Sequence, residues 1–399
     1  MTADITLRGP GDVLAVLPYQ LGYHPRRCVL VVSLRGRSVG LVARTDLPPD
    51  DDVTAAVGPL LEPLRRDGAT SVIVIGYEDE SDRCEPTLLA LVELLEAAAI
   101  EVVDVVVVRD GRRYSPVCSQ PCCPPEGVLL PEPADVPAVA EFVVRGRSPL
   151  ASRDAVEGLV AADPSLARGV ADAVAARSRM PRRRRRAAVA WRLVLRHEAE
   201  QPERPGHPGD PGDPGGPGGG GARGRPGTSS RGGEGGGWRP QVVADAALGL
   251  SDIAWRDGLV AWLAPGVLPM SLVDRDVVAL LHATLPTWGG MGSHHPPGEP
   301  SVDDLRGAQE RRVLLHRLLD LCRAVPDDCA AEAAAVCTVT AHVAWVEGDG
   351  AVARAAVDRA LRLAPDYRLA LLLVRLVEAG LRLPRRDRGE DGEDLGRAG

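Results

Sequence analysis

Residues 201–237, "QPERPGHPGDPGDPGGPGGGGARGRPGTSSRGGEGGG", contain no large apolar side chain. No folded core can absorb such a tract. A segment this polar recovers none of the conformational entropy that ordering costs. It therefore divides the 399 residues into two stretches that must bury their apolar surface without it. Glycine recurs every third residue from Gly206 through Gly227, but only five of the eight triplets carry proline. That period is the collagen period. The tract is read as a disordered, flexible Pro/Gly linker, produced by repeat expansion in GC-rich DNA.

The rest of the composition agrees with a GC-rich origin. Lysine and asparagine are absent, Phe142 is the one phenylalanine, and alanine, arginine, glycine, proline and valine abound. Every basic position is therefore arginine whether or not its geometry is needed. Schiff-base chemistry, a lysine general base and a Walker-type phosphate loop are excluded.

The net charge of −8 hides an asymmetry: residues 1–144 carry 12 Arg against 22 Asp plus Glu, and residues 145–200 carry 13 against 6. An acidic first domain beside a basic segment points to intramolecular docking or to an acidic partner. The amino-terminal residues lack a basic stretch followed by an apolar core. The longest uncharged run, Gly258 to Val273, is broken by Pro265 and Pro269. It is too short to span a bilayer. The expectation is a cytoplasmic protein without a membrane segment, whose eight cysteines are reduced.

Residues 28–34 and 38–45 are β-branched runs joined by Arg35-Gly36-Arg37, which reads as a hairpin. A helical pattern at Val53, Val57, Leu60 and Leu64 is weakened by Pro59 and Pro63. Then follow a buried strand over 70–76, a helix striped by Leu88, Leu91 and Leu95, a strand over 102–108, and a turn at Asp110-Gly111 into a further strand. This predicts an α/β domain over 1–147 with a mixed sheet of about five strands and flanking helices. All-α regions follow: a basic helical segment over 148–200, the linker over 201–239 and a helical domain over 240–383. The tail, 384–399, is expected to be disordered.

Near the carboxyl terminus the spacing resembles a tetratricopeptide hairpin. Ala341, Ala353 and Ala360 take small positions, Gly348-Asp349 the turn and Pro365 the closing proline. A plain helical bundle with alanines set by codon bias is the alternative. A single repeat cannot bury both faces, so neighbouring helices must complete the stack.

Two further motifs single out residues. Leu17-Pro18-Tyr19 and Leu21-Gly22-Tyr23-His24-Pro25 open the first domain, and Cys122-Cys123-Pro124-Pro125-Glu126-Gly127 comes later. Pro18 is expected to end one helical turn and start another, Gly22 to release the backbone, and Pro25 to hold His24 extended. Together the motifs resemble an actinobacterial domain-of-unknown-function family, numbered 4192, over most of the chain. The resemblance implies an α/β start with a helical, repeat-like ending and no established activity. The short spacer Ser119-Gln120-Pro121 departs from the family pattern and puts a shared role for Cys118 in doubt.

The candidate functional surface is His24, Cys118, Cys122, Cys123 and Glu126. His24 reads as a ring bonded to a carbonyl, or as a ligand or general base. The thiols read as a packed corner, with zinc and a redox switch behind it, because neighbouring cysteines seldom point both sulfurs at one ion. Zinc would need further donors such as His24 or Cys84. Cys322, Cys329 and Cys337 fit core positions of helices. The acidic loop over 77–82 reads as solvated, with a Mg²⁺ site as the alternative.

The remaining candidate is the basic patch Arg182, Arg183, Arg184, Arg185 and Arg186. It lies within a run from Arg177 to Arg196 that holds nine arginines and no acid. It reads as a solvated or docking face, with phosphate binding as the alternative. No nucleophile-base pattern, catalytic residue, metal set or cofactor motif is assigned. The favoured function is protein interaction or regulation through the helical carboxyl-terminal region. The alternatives are an enzyme or small-molecule binder with a site near His24 and Glu126, and nucleic-acid binding through the arginine run.

Overall fold

The computed structural model describes residues 9–35, 38–48, 53–144, 146–196, 238–286 and 302–381. The tail, nearly all of the linker and part of the expected hairpin turn lie outside the described residues.

The first part runs α1 (Pro10–Leu21), β1 (Cys28–Arg35), β2 (Ser38–Asp46), α2 (Val53–Val57), α3 (Leu61–Arg66), β3 (Ser71–Tyr77), α4 (Glu85–Ala97), β4 (Glu101–Arg109), β5 (Arg112–Tyr114), β6 (Val128–Leu129) and α5 (Pro137–Val144). The sheet order is β2-β1-β3-β4-β5-β6. Only β3 and β4 pair in parallel; every other neighbouring pair is antiparallel. The sheet is mixed, as expected, and α4 supplies the crossover that a parallel pair requires. It has six strands rather than about five. β6 pairs with Arg112 and Arg113 and is too short to show an alternating pattern.

Period-two alternation places the core on both faces of this sheet. Val29, Val31, Val72, Val74, Val105 and Val107 pack with Leu88, Leu91 and Leu95 of α4. Leu30, Val32, Ile73, Ile75, Val106 and Val108 pack on the other side with Leu14 and Leu17 of α1. Apolar side chains facing both ways explain why these strands read as continuous valine runs.

Proline acts differently at two places. Between α2 and α3, Gly58–Leu60 tightens into a 3₁₀ turn around Pro59, so the expected helix is broken. Pro18, by contrast, lies inside α1 and does not end a turn. Its carbonyl accepts from Gly22 N–H at 2.8 Å, so the helix carries on past the ring as far as Leu21. A proline this near the carboxyl end disturbs little of the helical bonding that follows it. Gly22 leaves the helix with φ 82°. That is the left-handed region, which glycine tolerates.

The helices continue as α6 (Arg153–Gly158), α7 (Val170–Arg177), α8 (Arg183–Leu195), α9 (Pro240–Gly249), α10 (Ile253–Leu263), α11 (Arg275–Thr284), α12 (Val302–Ala324), α13 (Ala330–Val346), α14 (Gly350–Leu363) and α15 (Arg368–Glu378). Residues on both sides of the Pro/Gly tract share one core. Val156, Trp191 and Val194 from before it join Val243, Trp255, Leu318, Val339 and Leu373 from after it. Trp191 is fully buried and donates its indole N–H to Ala246 O at 3.0 Å.

α13 and α14 form an antiparallel hairpin in which Ala341, Ala353 and Ala360 are fully buried. Asp349 caps α14 by accepting from Val352 N–H at 3.1 Å. An aspartate there satisfies an amide that the first turn leaves unbonded. Arg359 of α14 is 1% exposed. Its guanidinium donates to the carbonyls of Val160 (2.5 Å), Cys322 (2.7 Å) and Val325 (2.8 Å), and to Asp327 Oδ1 (2.6 Å). One side chain thus satisfies the carbonyl end of α12 and ties it to the segment after α6. No helix among the described residues is long and apolar enough to cross a membrane.

Candidate functional site

The long connection from β5 to β6 brings the three thiols together. Two consecutive β-turns build it, each with proline at its second position, where the ring's fixed φ suits the turn. Cys123 N–H donates to Gln120 O at 2.8 Å across Pro121-Cys122, and Gly127 N–H donates to Pro124 O at 2.9 Å across Pro125-Glu126. Gly127 has φ 73°, and a Cβ there would come within 2.6 Å of the Tyr114 ring. Both the conformation and the contact call for glycine. Arg112 donates through Nη1 to the carbonyl of Gly127 at 3.0 Å, pinning the turn to β5.

The result differs from the divergence expected of adjacent cysteines. Cys122 Sγ and Cys123 Sγ lie 3.9 Å apart, and the Sγ atoms of Cys118, Cys122 and Cys123 all lie within 4.8 Å of one another. Among the described residues this is the one group of three or more His, Cys, Asp or Glu side chains placed to hold a metal ion. Cys122 is exposed, and Cys118 and Cys123 are half-buried. The Gln120 main-chain N–H and the Cys123 thiol hydrogen-bond the Cys118 sulfur and hold its pKa below the ordinary thiol value. The hydrogen bond to Cys118 pushes Cys123 up to about 11. The first negative charge on the cluster is favoured and the next is opposed by it.

His24 and the thiol turn are not brought together. His24 precedes Cys28, which aligns with Tyr77, itself aligned with Val108, at the carboxyl ends of β3 and β4. β5 turns back from there for three residues, with Tyr114 opposite Val107, and the thiol turn follows it; His24 is not among the side chains grouped with the three sulfurs. The His24 backbone is fixed by its N–H to Leu150 O at 2.9 Å, while its side chain is exposed, not bonded to a carbonyl as one reading expected. Glu126 is exposed, and its carbonyl faces Arg112. Cys84 is buried in the core between the sheet and α4, away from the thiol cluster.

In the acidic loop, Glu78 turns inward. Its carboxylate accepts from Arg109 Nη1 at 2.8 Å and from Cys84 N–H at 2.9 Å, at the start of α4. Burial of this carboxylate is met by a paired charge and a helix terminus.

The basic run divides into inward and outward members. Arg177 forks onto the buried Asp245 of α9 with Nε at 2.7 Å and Nη2 on the second oxygen. Arg184 forks onto Asp252 at 2.8 and 3.0 Å. Arg183 reaches Ser251 Oγ at 2.6 Å and Ser178 O at 2.7 Å. Arg186 donates to Pro181 O and Arg177 O, both at 3.0 Å, and its Nε lies 3.1 Å from Asp245 Oδ1 without a hydrogen bond to it. Arg182 and Arg185 are exposed and have no ion-pair partner among the described residues.

These two arginines border a cavity of about 380 Å³ between α7, α8 and α9, floored by Val189, Ala190, Leu193 and Val242. Val189 is 58% and Leu193 40% exposed, one helical turn apart on α8. A second cavity, of about 160 Å³, lies beside Arg256 and Tyr367. Neither is lined by His24 or by the thiol turn.

Residues 10–269 and 304–383 match the family described as "Domain of unknown function (DUF4192)". The chain belongs to that family. No curated protein and no solved structure matches it. Membership agrees with the resemblance carried by the Leu17–Pro25 and Cys122–Gly127 motifs, and it brings no activity with it.

Proposed function

We propose that this DUF4192 protein is an interaction module, and that its docking surface is the groove between α7, α8 and α9. The observation that carries this reading is the pairing of free charge with exposed apolar surface. Arg182 and Arg185, which have no ion-pair partner among the described residues, stand beside the strip made by Val189, Leu193 and Val242, while the carboxylate in the same cavity, Asp245, is held by Arg177. A concave apolar floor with a cationic rim suits a helix that has one apolar face and acidic flanks. The occupant is therefore an acidic amphipathic segment of another protein. The chain's own linker does not qualify, since residues 197–237 contain no large apolar side chain to fill the floor. At this groove two arginines lack an ion-pair partner among the described residues, few for a phosphate backbone, whose binding rests on many neutralised charges; Arg179, Arg192 and Arg196 of the same run lie outside its lining. The tetratricopeptide-like reading of α13 and α14 belongs to the same proposal, as scaffold behind the groove.

The test is fluorescence anisotropy with a labelled helical peptide carrying leucines at i and i+4 flanked by glutamates. The native chain should bind it, and more weakly as salt rises. An Arg182→Glu, Arg185→Glu double variant and a Val189→Ser, Leu193→Ser double variant should each bind at least about tenfold more weakly. Equal binding by native chain and variants, or retention of RNA or anionic vesicles in place of the peptide, would refute the assignment.

A further inference from the structure

We propose that Cys118, Cys122 and Cys123 bind one thiophilic d¹⁰ cation, Zn²⁺ or Cu⁺, through three thiolates.

The spacing of the sulfurs supports this directly. Metal–sulfur bonds of about 2.3 Å place two thiolates about 3.8 Å apart across a tetrahedral edge and about 4.0 Å apart in a trigonal plane. Cys122 and Cys123 stand at 3.9 Å, and the whole trio lies within 4.8 Å. A disulfide bond is about 2.0 Å long, so the Cys122–Cys123 separation is that of two free thiols. The sulfurs need only draw in around a central ion, and Cys122 is open to solvent for its arrival.

The turn is rigid before any ion binds. Pro121 and Pro125 fix the two β-turns, Gly127 packs against Tyr114, and Arg112 holds the Gly127 carbonyl. Ligands already in place spare the ion the entropy of gathering them. Binding needs no oxidant. Sulfur–metal bonds form as the remaining S–H protons leave to solvent, so uptake releases protons and strengthens as pH rises. No His, Asp or Glu among the described residues joins the three sulfurs. A trigonal ion would be complete with them, and a tetrahedral one would keep its fourth position for solvent or an incoming ligand.

The experiment uses the full chain, purified reduced and metal-free. Zn²⁺ is titrated against a chromophoric chelator, and Cu⁺ against bathocuproine without oxygen. One equivalent per chain of at least one ion is expected, and the two titrations distinguish which. Each single Cys→Ser change at 118, 122 or 123 should weaken binding by at least about a hundredfold, more than loss of an outer-shell contact. Cys84→Ser and Cys329→Ser should bind as the native chain does. As a readout independent of how well the variants fold, the bound ion should protect the 118–123 peptide of the native chain from N-ethylmaleimide. Retention of neither ion, equal retention by the triple serine variant, or no protection would overturn the site.

Discussion

Two groups of cysteines show what distinguishes a site from a core. Cys118, Cys122 and Cys123 meet on a surface loop whose turns are closed by main-chain hydrogen bonds. Cys322 and Cys337 meet inside the helical core, where Cys322 Sγ lies 3.2 Å from Thr340 Oγ1 and Cys337 Sγ 3.7 Å from Arg359 Nη1. Hydrogen bonding to Cys322, with burial, pushes Cys337 well above the ordinary thiol value. Both groups bring sulfurs close, yet only the first leaves them free to change partners. Proximity follows from the fold; availability depends on what else the same atoms are doing.

Reaction with N-ethylmaleimide should separate the groups most strongly. Thiols that react only when the core opens are limited by open populations of about 10⁻³ or less, so Cys322 and Cys337 should label at least about a thousandfold more slowly than Cys122. Peptide mapping over time measures this, and comparable rates would erase the distinction. Next in size is Arg359→Ala, which takes the guanidinium from three buried carbonyls, leaves those of Val160 and Val325 without a donor, and should cost about 3–5 kcal/mol in urea unfolding. It should also speed labelling of Cys337. Gly127→Ala should cost about 1–3 kcal/mol through its left-handed φ. Its Cβ would also press on Tyr114, so ion binding should weaken while the buried pair is untouched. The smallest effect is a pH dependence within the trio. Labelling of Cys118 should reach its plateau below the usual thiol pKa, whereas that of Cys123 should keep rising toward about pH 11. Coincident profiles would mean that the sulfurs do not share a proton.

Much of this was readable from the chain. The valine-rich strands and the leucine stripe of α4 carry their burial pattern openly, because both faces of the sheet are covered. β6 was not readable, since Val128 and Leu129 are too few to show a period. The thiol turn was readable in part. Gln120-Pro121-Cys122-Cys123 and Pro124-Pro125-Glu126-Gly127 are both proline-led turns, and the divergence expected of adjacent cysteines is greatest on extended backbone, not in such a turn. The basic run could not be resolved from its own residues. Asp245 and Asp252, which neutralise Arg177 and Arg184, lie 68 positions further on, across the Pro/Gly tract. Only the fold separates Arg182 and Arg185 from their neighbours.

The pairing of α8 with α9 also has a genetic consequence. The chain could be divided within residues 201–237 into two separately expressed pieces, because the halves are joined by a shared core and by contacts such as Trp191 seated on Ala246, the arginine forks on Asp245 and Asp252, and Arg359 on the Val160 carbonyl. Co-expressed, the pieces should find each other and restore the buried tryptophan.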